Sequence, residues 1–169
     1  EDLGYSTLTM GDHLDAQFAP TVGLMAAAAA APGLRIGALT YANDYRHPVL
    51  LAKEAATLDV LSGGRLELGI GAGWMTTDYE QAGIPLDPAG VRIDRLAEAL
   101  TVLKGLFADG PVDFAGEHYR LAGLEGTPKP VQRPHPPILI GGGGKRILTL
   151  AAQQADIVGL NFNLHGGRI

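Results

Sequence analysis

The chain has 169 residues, 46% of them hydrophobic, with 13 basic against 18 acidic side chains and a net charge of -5. That apolar content supports a sizeable core and excludes a disordered chain. The absence of a basic cluster excludes a broad nucleic-acid surface, and the absence of cysteine excludes a disulfide scaffold and thiolate chemistry.

In chain order, Tyr5 to Met10 is predicted as a short strand ending at Gly11-Asp12-His13. Thr21 to Ala31 is alanine-rich and reads as a helix stopped by Pro32-Gly33. Leu34 to Thr40 reads as a buried strand and Tyr41 to Arg46 as a loop. Pro48 suits the first turn of the next helix, where Leu51, Ala55, Leu58 and Leu61 recur on one face. Ser62-Gly63-Gly64 ends it, glycine suiting a left-handed C-cap. Arg65 to Ile70 is the third strand. Asp87-Pro88 is expected to cap a longer helix whose buried stripe is Ile93, Leu96, Leu100, Leu103 and Phe107. Arg92, Arg95 and Glu98 are expected to face solvent.

Val112 to Leu121 reads as a small hairpin outside the main sheet. Thr127 to Pro137 carries five prolines and reads as a stiff connection. Ile138-Leu139-Ile140 is then a strand, Lys145 to Gln154 a helix, and Asp156 to Leu160 a strand. Five strands alternating with helices imply a parallel α/β sheet. A doubly wound sheet and part of a (β/α)8 barrel both remain open. A whole barrel needs about 250 residues, so this chain is short for one.

The 24 glycines punctuate element ends rather than repeat with a period. The C-terminal ends of the strands carry Asp12-His13, Asn43-Asp44, Gly71 to Trp74, Gly141 to Gly144 and Asn161 to Asn163. Such ends share one face in parallel α/β folds, and that face holds the site. Gly69-Ile70-Gly71-Ala72-Gly73 is not a dinucleotide fingerprint, and Gly144-Lys145-Arg146 lacks the Ser/Thr of a phosphate loop.

Gly141 to Gly144 still precede a helix start, where bare N–H groups can hold a phosphate beside Lys145 and Arg146. His13 is open to three roles: proton donor, cofactor hydrogen bond or structural cap. Trp74, the single tryptophan, either closes a local core or walls a ring-binding cavity. Asp78 and Glu80 read as solvent charges or loop caps, and His47 as a helix N-terminal or packing residue. His118 and His135 read as structural or exposed. No His/Asp/Glu set has metal-ligand spacing, so no metal is expected. Neither Ser6 nor Ser62 sits in a nucleophile elbow.

The order and spacing of several segments resemble the luciferase-like monooxygenase superfamily, the bacterial-luciferase-type flavin and deazaflavin oxidoreductases. The matching pieces are Gly11-Asp12-His13, Arg46-His47-Pro48, the run from Leu58 through Ser62-Gly63-Gly64-Arg65 to Trp74, Pro136 to Gly143, and Ala155-Asp156. The resemblance implies a (β/α)8 TIM barrel of which strands two to six are present, from Tyr5–Met10 to Asp156–Leu160. The chain is then one domain over residues 1–169, a fragment or the ordered part of a longer protein. Residues 109–137 would be an insertion holding the hairpin and the proline-rich connection.

The resemblance is nearest the branch dependent on the 5-deazaflavin coenzyme F420. It implies hydride transfer between that coenzyme and an unidentified small organic substrate. An FMN-dependent monooxygenase using reduced flavin and O2 is the first alternative, and a non-catalytic flavin-binding protein the second. By analogy His13 is catalytic and Asp12 helps position the ring. A non-proline cis peptide at Ala38–Leu39 backs the ring. Gly71, Ala72, Gly73 and Trp74 line the ring or its side chain, and Gly142, Gly143 and Gly144 contact phosphate. Some sugar-phosphate dehydrogenases of this branch carry a catalytic glutamate where this chain has Trp74, which argues against their substrates. The family further implies a homodimer through its early barrel helices. A cytoplasmic location fits the composition, with no nucleic-acid or membrane partner; the longest small apolar run, Met25 to Pro32, is too short for a bilayer.

Overall fold

The computed structural model describes residues 3–161. In chain order the elements are β1 (Thr7–Met10), α1 (Pro20–Ala30), β2 (Arg35–Ala38), β3 (Tyr41–Ala42), a 3-10 turn (Asn43–Tyr45), α2 (Pro48–Leu61) and β4 (Leu66–Gly71). There follow α3 (Thr76–Ala82), α4 (Ala89–Phe107), β5 (Pro111–Ala115), β6 (Arg120–Glu125), β7 (Ile138–Gly142), α5 (Lys145–Gln154) and β8 (Ile157–Leu160).

The main sheet runs β1-β2-β4-β7-β8, every pair parallel, with two-residue β3 pairing β4 off that path. Spatial order follows chain order with no reversal. A doubly wound sheet reverses at a switch point, whereas a barrel does not. The chain is therefore an open arc of five principal strands, part of a (β/α)8 barrel rather than a doubly wound domain. β5 and β6 form the separate antiparallel hairpin that the sequence predicts.

Packing explains the arc. Leu66, Leu68 and Ile70 of β4 and Ile138 and Ile140 of β7 have no exposed surface. Each such side chain contributes roughly 1.5–3 kcal/mol by leaving water. Alternating with them, Gly69 lies so close to β2 that a Cβ would run into the Ala38 carbonyl. α2 and α4 cover the sheet with Leu51, Ala55, Leu58, Leu96, Leu100, Leu103 and Phe107, as the periodicity predicts, whereas Leu61, expected on the same face of α2, is exposed at its last turn.

The helix ends are tied by side chains. His47 caps α2, its Nδ1 accepting from the Val49 N–H at 3.2 Å. Gly63 and Gly64 take positive φ at the other end, and their N–H groups return to Val60 and Asp59. Arg65 donates to the carbonyls of Ala28, Ala31 and Leu34, so it satisfies the otherwise orphaned end of α1. Fully buried Asp59 accepts from the Val131 and Gln132 N–H groups and the Gln132 amide. That pins the proline-rich connection, which contains cis peptides at Thr127–Pro128 and Arg133–Pro134.

Three further expectations are corrected. The non-proline cis peptide is Leu39–Thr40, not Ala38–Leu39. The Leu39 N–H still bonds to Met10 O at 2.7 Å, within the strand expected over Leu34 to Thr40. Asp87 does not cap α4; its carboxylate accepts from Arg95. Arg92, Arg95 and Glu98 are not solvent charges, because their long side chains reach back to neighbouring loops. Glu98 accepts from the N–H groups of Glu117, His118 and Tyr119 and clamps the hairpin turn to α4. Burial alone would raise the Glu98 carboxyl, but those N–H groups hold it below its ordinary range.

Candidate active site

The C-terminal strand ends surround a cavity of about 710 Å³. Its walls come from both halves of the arc. On one side lie the residues after β1 and β2, with Trp74 after β4. On the other lie Gly141 to Gly144, ahead of α5.

The first wall is charged and tightly tied. Asp12 is buried. Its carboxylate accepts two bonds from Arg46, at 2.7 and 3.0 Å, and one from the Ala42 N–H at 2.9 Å. The loops after β1 and β2 are thereby locked together. Arg46 also lies over the Tyr41 ring, 4.8 Å from its centroid. Burial pushes the Tyr41 hydroxyl up to about 12, and it stays a neutral partner of Thr21 at 3.0 Å.

His13 lines the cavity, its Nδ1 2.8 Å from Asp78 Oδ2. Trp74 meets the His13 ring edge to face, with centroids 5.9 Å apart and planes at 88°. Tyr45 donates to the same Asp78 oxygen at 3.1 Å. Behind this group, Tyr79 donates to Asp44, which also receives Arg95. Burial holds the Tyr45 and Tyr79 hydroxyls above the usual phenol range, and the neighbouring carboxylates add to it.

Asp78 is 5% exposed, so its reading as a solvent charge is corrected; Glu80 does face solvent. The His13 hydrogen bond is the main cause holding the Asp78 carboxyl below its ordinary value. Tyr45 and the Leu14 N–H assist, against the opposing effect of burial. The sequence missed this role because Asp78 lies 65 residues from His13, on α3, a seven-residue helix without apolar periodicity.

The remaining residues form a slot. Leu39 and Trp74 expose 53% and 65% of their surface and line the cavity. Trp74 therefore lines the cavity and does not close a local core. Ala38 is corrected: it is buried in β2 and does not line the cavity. Gly71, Ala72 and Gly73 do line it. Gly73 has a φ of 73°, and a Cβ there would collide with the Tyr79 hydroxyl. Arg92 donates to the Ala72 and Gly73 carbonyls and to Asp87 O, which holds this turn from behind.

The second wall is bare backbone. A Cβ at Gly142 would strike Ile147, and one at Gly143 would strike the Asn161 carbonyl. At Gly144 nothing lies within 4 Å. Among the described residues no side chain caps α5, and the positive end of the helix faces this wall. Lys145 and Arg146 do not line this cavity. Arg146 bonds Asp94 on α4 at 2.5 Å, in a separate groove that Lys145 shares.

Asn161 lines the cavity, while Asn163 falls outside the described residues. Asn43 is buried and donates to the Tyr119 hydroxyl. His118 and His135 lie away from the cavity. Among the described residues no group of three or more His, Asp or Glu side chains is placed to hold a metal ion.

Residues 1–166 match the sequence profile of the luciferase-like monooxygenase family. The chain belongs to that family. This luciferase-like chain is 34% identical over 116 residues to an FMNH(2)-dependent dimethylsulfone monooxygenase of Pseudomonas putida, covering 69% of this chain and 32% of the relative. It is 35% identical over 111 residues to the pyrimidine monooxygenase RutA of Stutzerimonas stutzeri, covering 64% of this chain and 30% of that protein. A solved structure, the coenzyme F420-dependent tetrahydromethanopterin reductase of Methanopyrus kandleri, superposes with a TM-score of 0.86 at 24% identity. It covers 95% of this chain and 49% of the other. The luciferase-like chain thus spans from about a third to half of the length of these relatives, and the strands it holds form an open arc.

Proposed function

We propose that this chain is the coenzyme-holding part of an oxidoreductase that transfers a hydride between the 5-deazaflavin coenzyme F420 and a small organic substrate. One observation carries the reading. His13, held at Nδ1 by Asp78, stands edge-on to Trp74 at a cavity lined by Leu39 and bare glycine backbone.

The residues present fit such a coenzyme. Leu39, Ala72 and Trp74 offer apolar surface to a flat ring. The uncapped start of α5 and the open space at Gly144 suit a phosphate. When bound, the coenzyme would supply the hydride-transferring carbon. The chain's own residues would orient the ring, exclude water from one face, and exchange a proton at His13 Nε2.

The similarity to an FMNH(2)-dependent enzyme favours a second reading, in which FMN occupies the same slot and a monooxygenation follows. Both readings give His13 the same place. A purely flavin-binding protein would not need its proton. His13→Gln is expected to lower turnover of the full-length protein by about 10²–10⁴-fold while coenzyme binding is kept. Unchanged turnover would overturn the catalytic reading.

The protein is further proposed to pair with a second copy of itself through α1 and α2. An apolar groove between these helices is lined by Met25, Leu50, Leu58 and Leu61, with Leu50 and Leu61 largely exposed. Leu50→Glu is expected to shift sedimentation to the monomer, and a wild-type monomer would refute the pairing. Among the described residues no helix is long and apolar enough to cross a membrane.

A further inference from the structure

From the geometry of the first cavity wall we infer that Asp78 is a positioning residue: it fixes the neutral His13 ring as the Nδ1–H tautomer, leaving Nε2 as the nitrogen that exchanges a proton at the cavity. This deepens the proposed function and rests on its placing of His13 at the reacting centre.

The inference follows from donor and acceptor counting. Asp78 Oδ2 has two close side-chain partners, His13 Nδ1 at 2.8 Å and Tyr45 Oη at 3.1 Å. An ionised carboxylate can only accept hydrogen bonds. Tyr45 holds its proton, because burial and the adjacent carboxylate both oppose its loss. Tyr45 is therefore a donor, and Asp78 has no proton to give to an unprotonated Nδ1. The His13–Asp78 bond forms with the hydrogen on Nδ1.

No other described acidic side chain is placed to compete. Asp12 is the sequence neighbour of His13, but Arg46 and the Ala42 N–H occupy both its oxygens. Asp44 is held by Tyr79 and Arg95. Trp74 meets the imidazole through its ring and adds no hydrogen-bond acceptor. Among the described residues Nε2 has no hydrogen-bond partner, and His13 lines the cavity. The loop after β1 thus supplies the imidazole, and α3 supplies the group that selects its tautomer. The Leu14 N–H to Asp78 closes the link between the two elements.

The test reads the ring directly and needs no coenzyme. Histidine-labelled full-length protein is examined by long-range proton–nitrogen correlation on the alkaline side, where imidazole is neutral. The His13 signal is assigned by its loss in His13→Gln. The wild type is expected to show a protonated Nδ1 and a bare Nε2. In Asp78→Asn the amide can donate to Nδ1, so the Nε2–H tautomer is expected to gain.

Turnover is expected to fall by about 10²–10⁴-fold with KM little changed, and Asp78→Glu to recover part of it. A wild-type Nε2–H tautomer would overturn the inference, and that reading stands even where Asp78→Asn fails to fold. A folded Asp78→Asn protein with an unchanged tautomer would overturn it equally. Should the tautomer be as expected while His13→Gln turns over normally, the proposed function fails and the positioning of the ring by Asp78 stands.

Discussion

The two walls of the cavity are built on opposite principles. The wall after β1 and β2 is dense with charge, and each charge has a fixed partner: Asp12 with Arg46, Asp78 with His13 and Tyr45, Asp44 with Arg95 and Tyr79. The wall ahead of α5 is four glycines and a helix start that no described side chain caps. The first wall can orient one imidazole because His13 Nδ1 is bonded to Asp78, which Tyr45 holds in turn. The second presents backbone without side chains, which suits the anion of the proposed function. Under the proposed function, chemistry and anchoring fall on opposite sides of one slot.

Breaking the charged wall is expected to have the largest effect on stability. Arg46→Ala leaves the Asp12 carboxylate buried without its cation, which costs about 3–5 kcal/mol. Urea unfolding checks this, and a loss below about 1 kcal/mol would show that the loops hold without the pair.

The glycine wall divides into two kinds of position. Gly143→Ala places a methyl against the Asn161 carbonyl and is expected to cost about 1–3 kcal/mol. Gly144→Ala meets nothing and has an ordinary negative φ, so its stability should stay within about 0.5 kcal/mol of the parent. Its added methyl would instead crowd the proposed phosphate and weaken coenzyme binding. Equal behaviour of the two variants in both assays would dissolve the distinction between them.

The smallest effect is with pH. The Asp78 and Glu98 carboxyls are both held below their ordinary values in the folded chain. A depressed folded value means that the stabilisation is present above the unfolded value and is lost as pH falls through the folded one. The loss belongs below about pH 4. Asp78→Asn should flatten part of that acid limb in a thermal-unfolding series, and an unaltered limb would remove Asp78 from the account.

The sequence predicts the sheet better than the site. Five strands, the hairpin and the α2 C-cap are legible because apolar runs, alternation and Gly63-Gly64 are local signals. α3 escapes because Thr76–Ala82 is short and lacks an apolar stripe. Arg92, Arg95 and Glu98 are misread as solvent charges because helical periodicity places a Cα on a face but does not say how far a long side chain reaches. Their spacing at i, i+3 and i+6 does offer a signal: it lines them up in one stripe beside the buried one. Asp78 carries no local signal at all, since its partners His13 and Tyr45 come from two other loops. The cis peptide falls one residue later than expected, at Leu39–Thr40, a position that no local residue pattern marks.

The most direct test of the central claim is a coenzyme titration of the full-length protein, followed by the fluorescence of Trp74 at the cavity wall. His13→Gln and Gly144→Ala serve as controls, and any tryptophan outside this chain is replaced. The account predicts saturable quenching by the 5-deazaflavin coenzyme, kept in His13→Gln and weakened in Gly144→Ala. Tight binding of FMN with no detectable deazaflavin binding would contradict the deazaflavin assignment, and no response to either would contradict the slot itself.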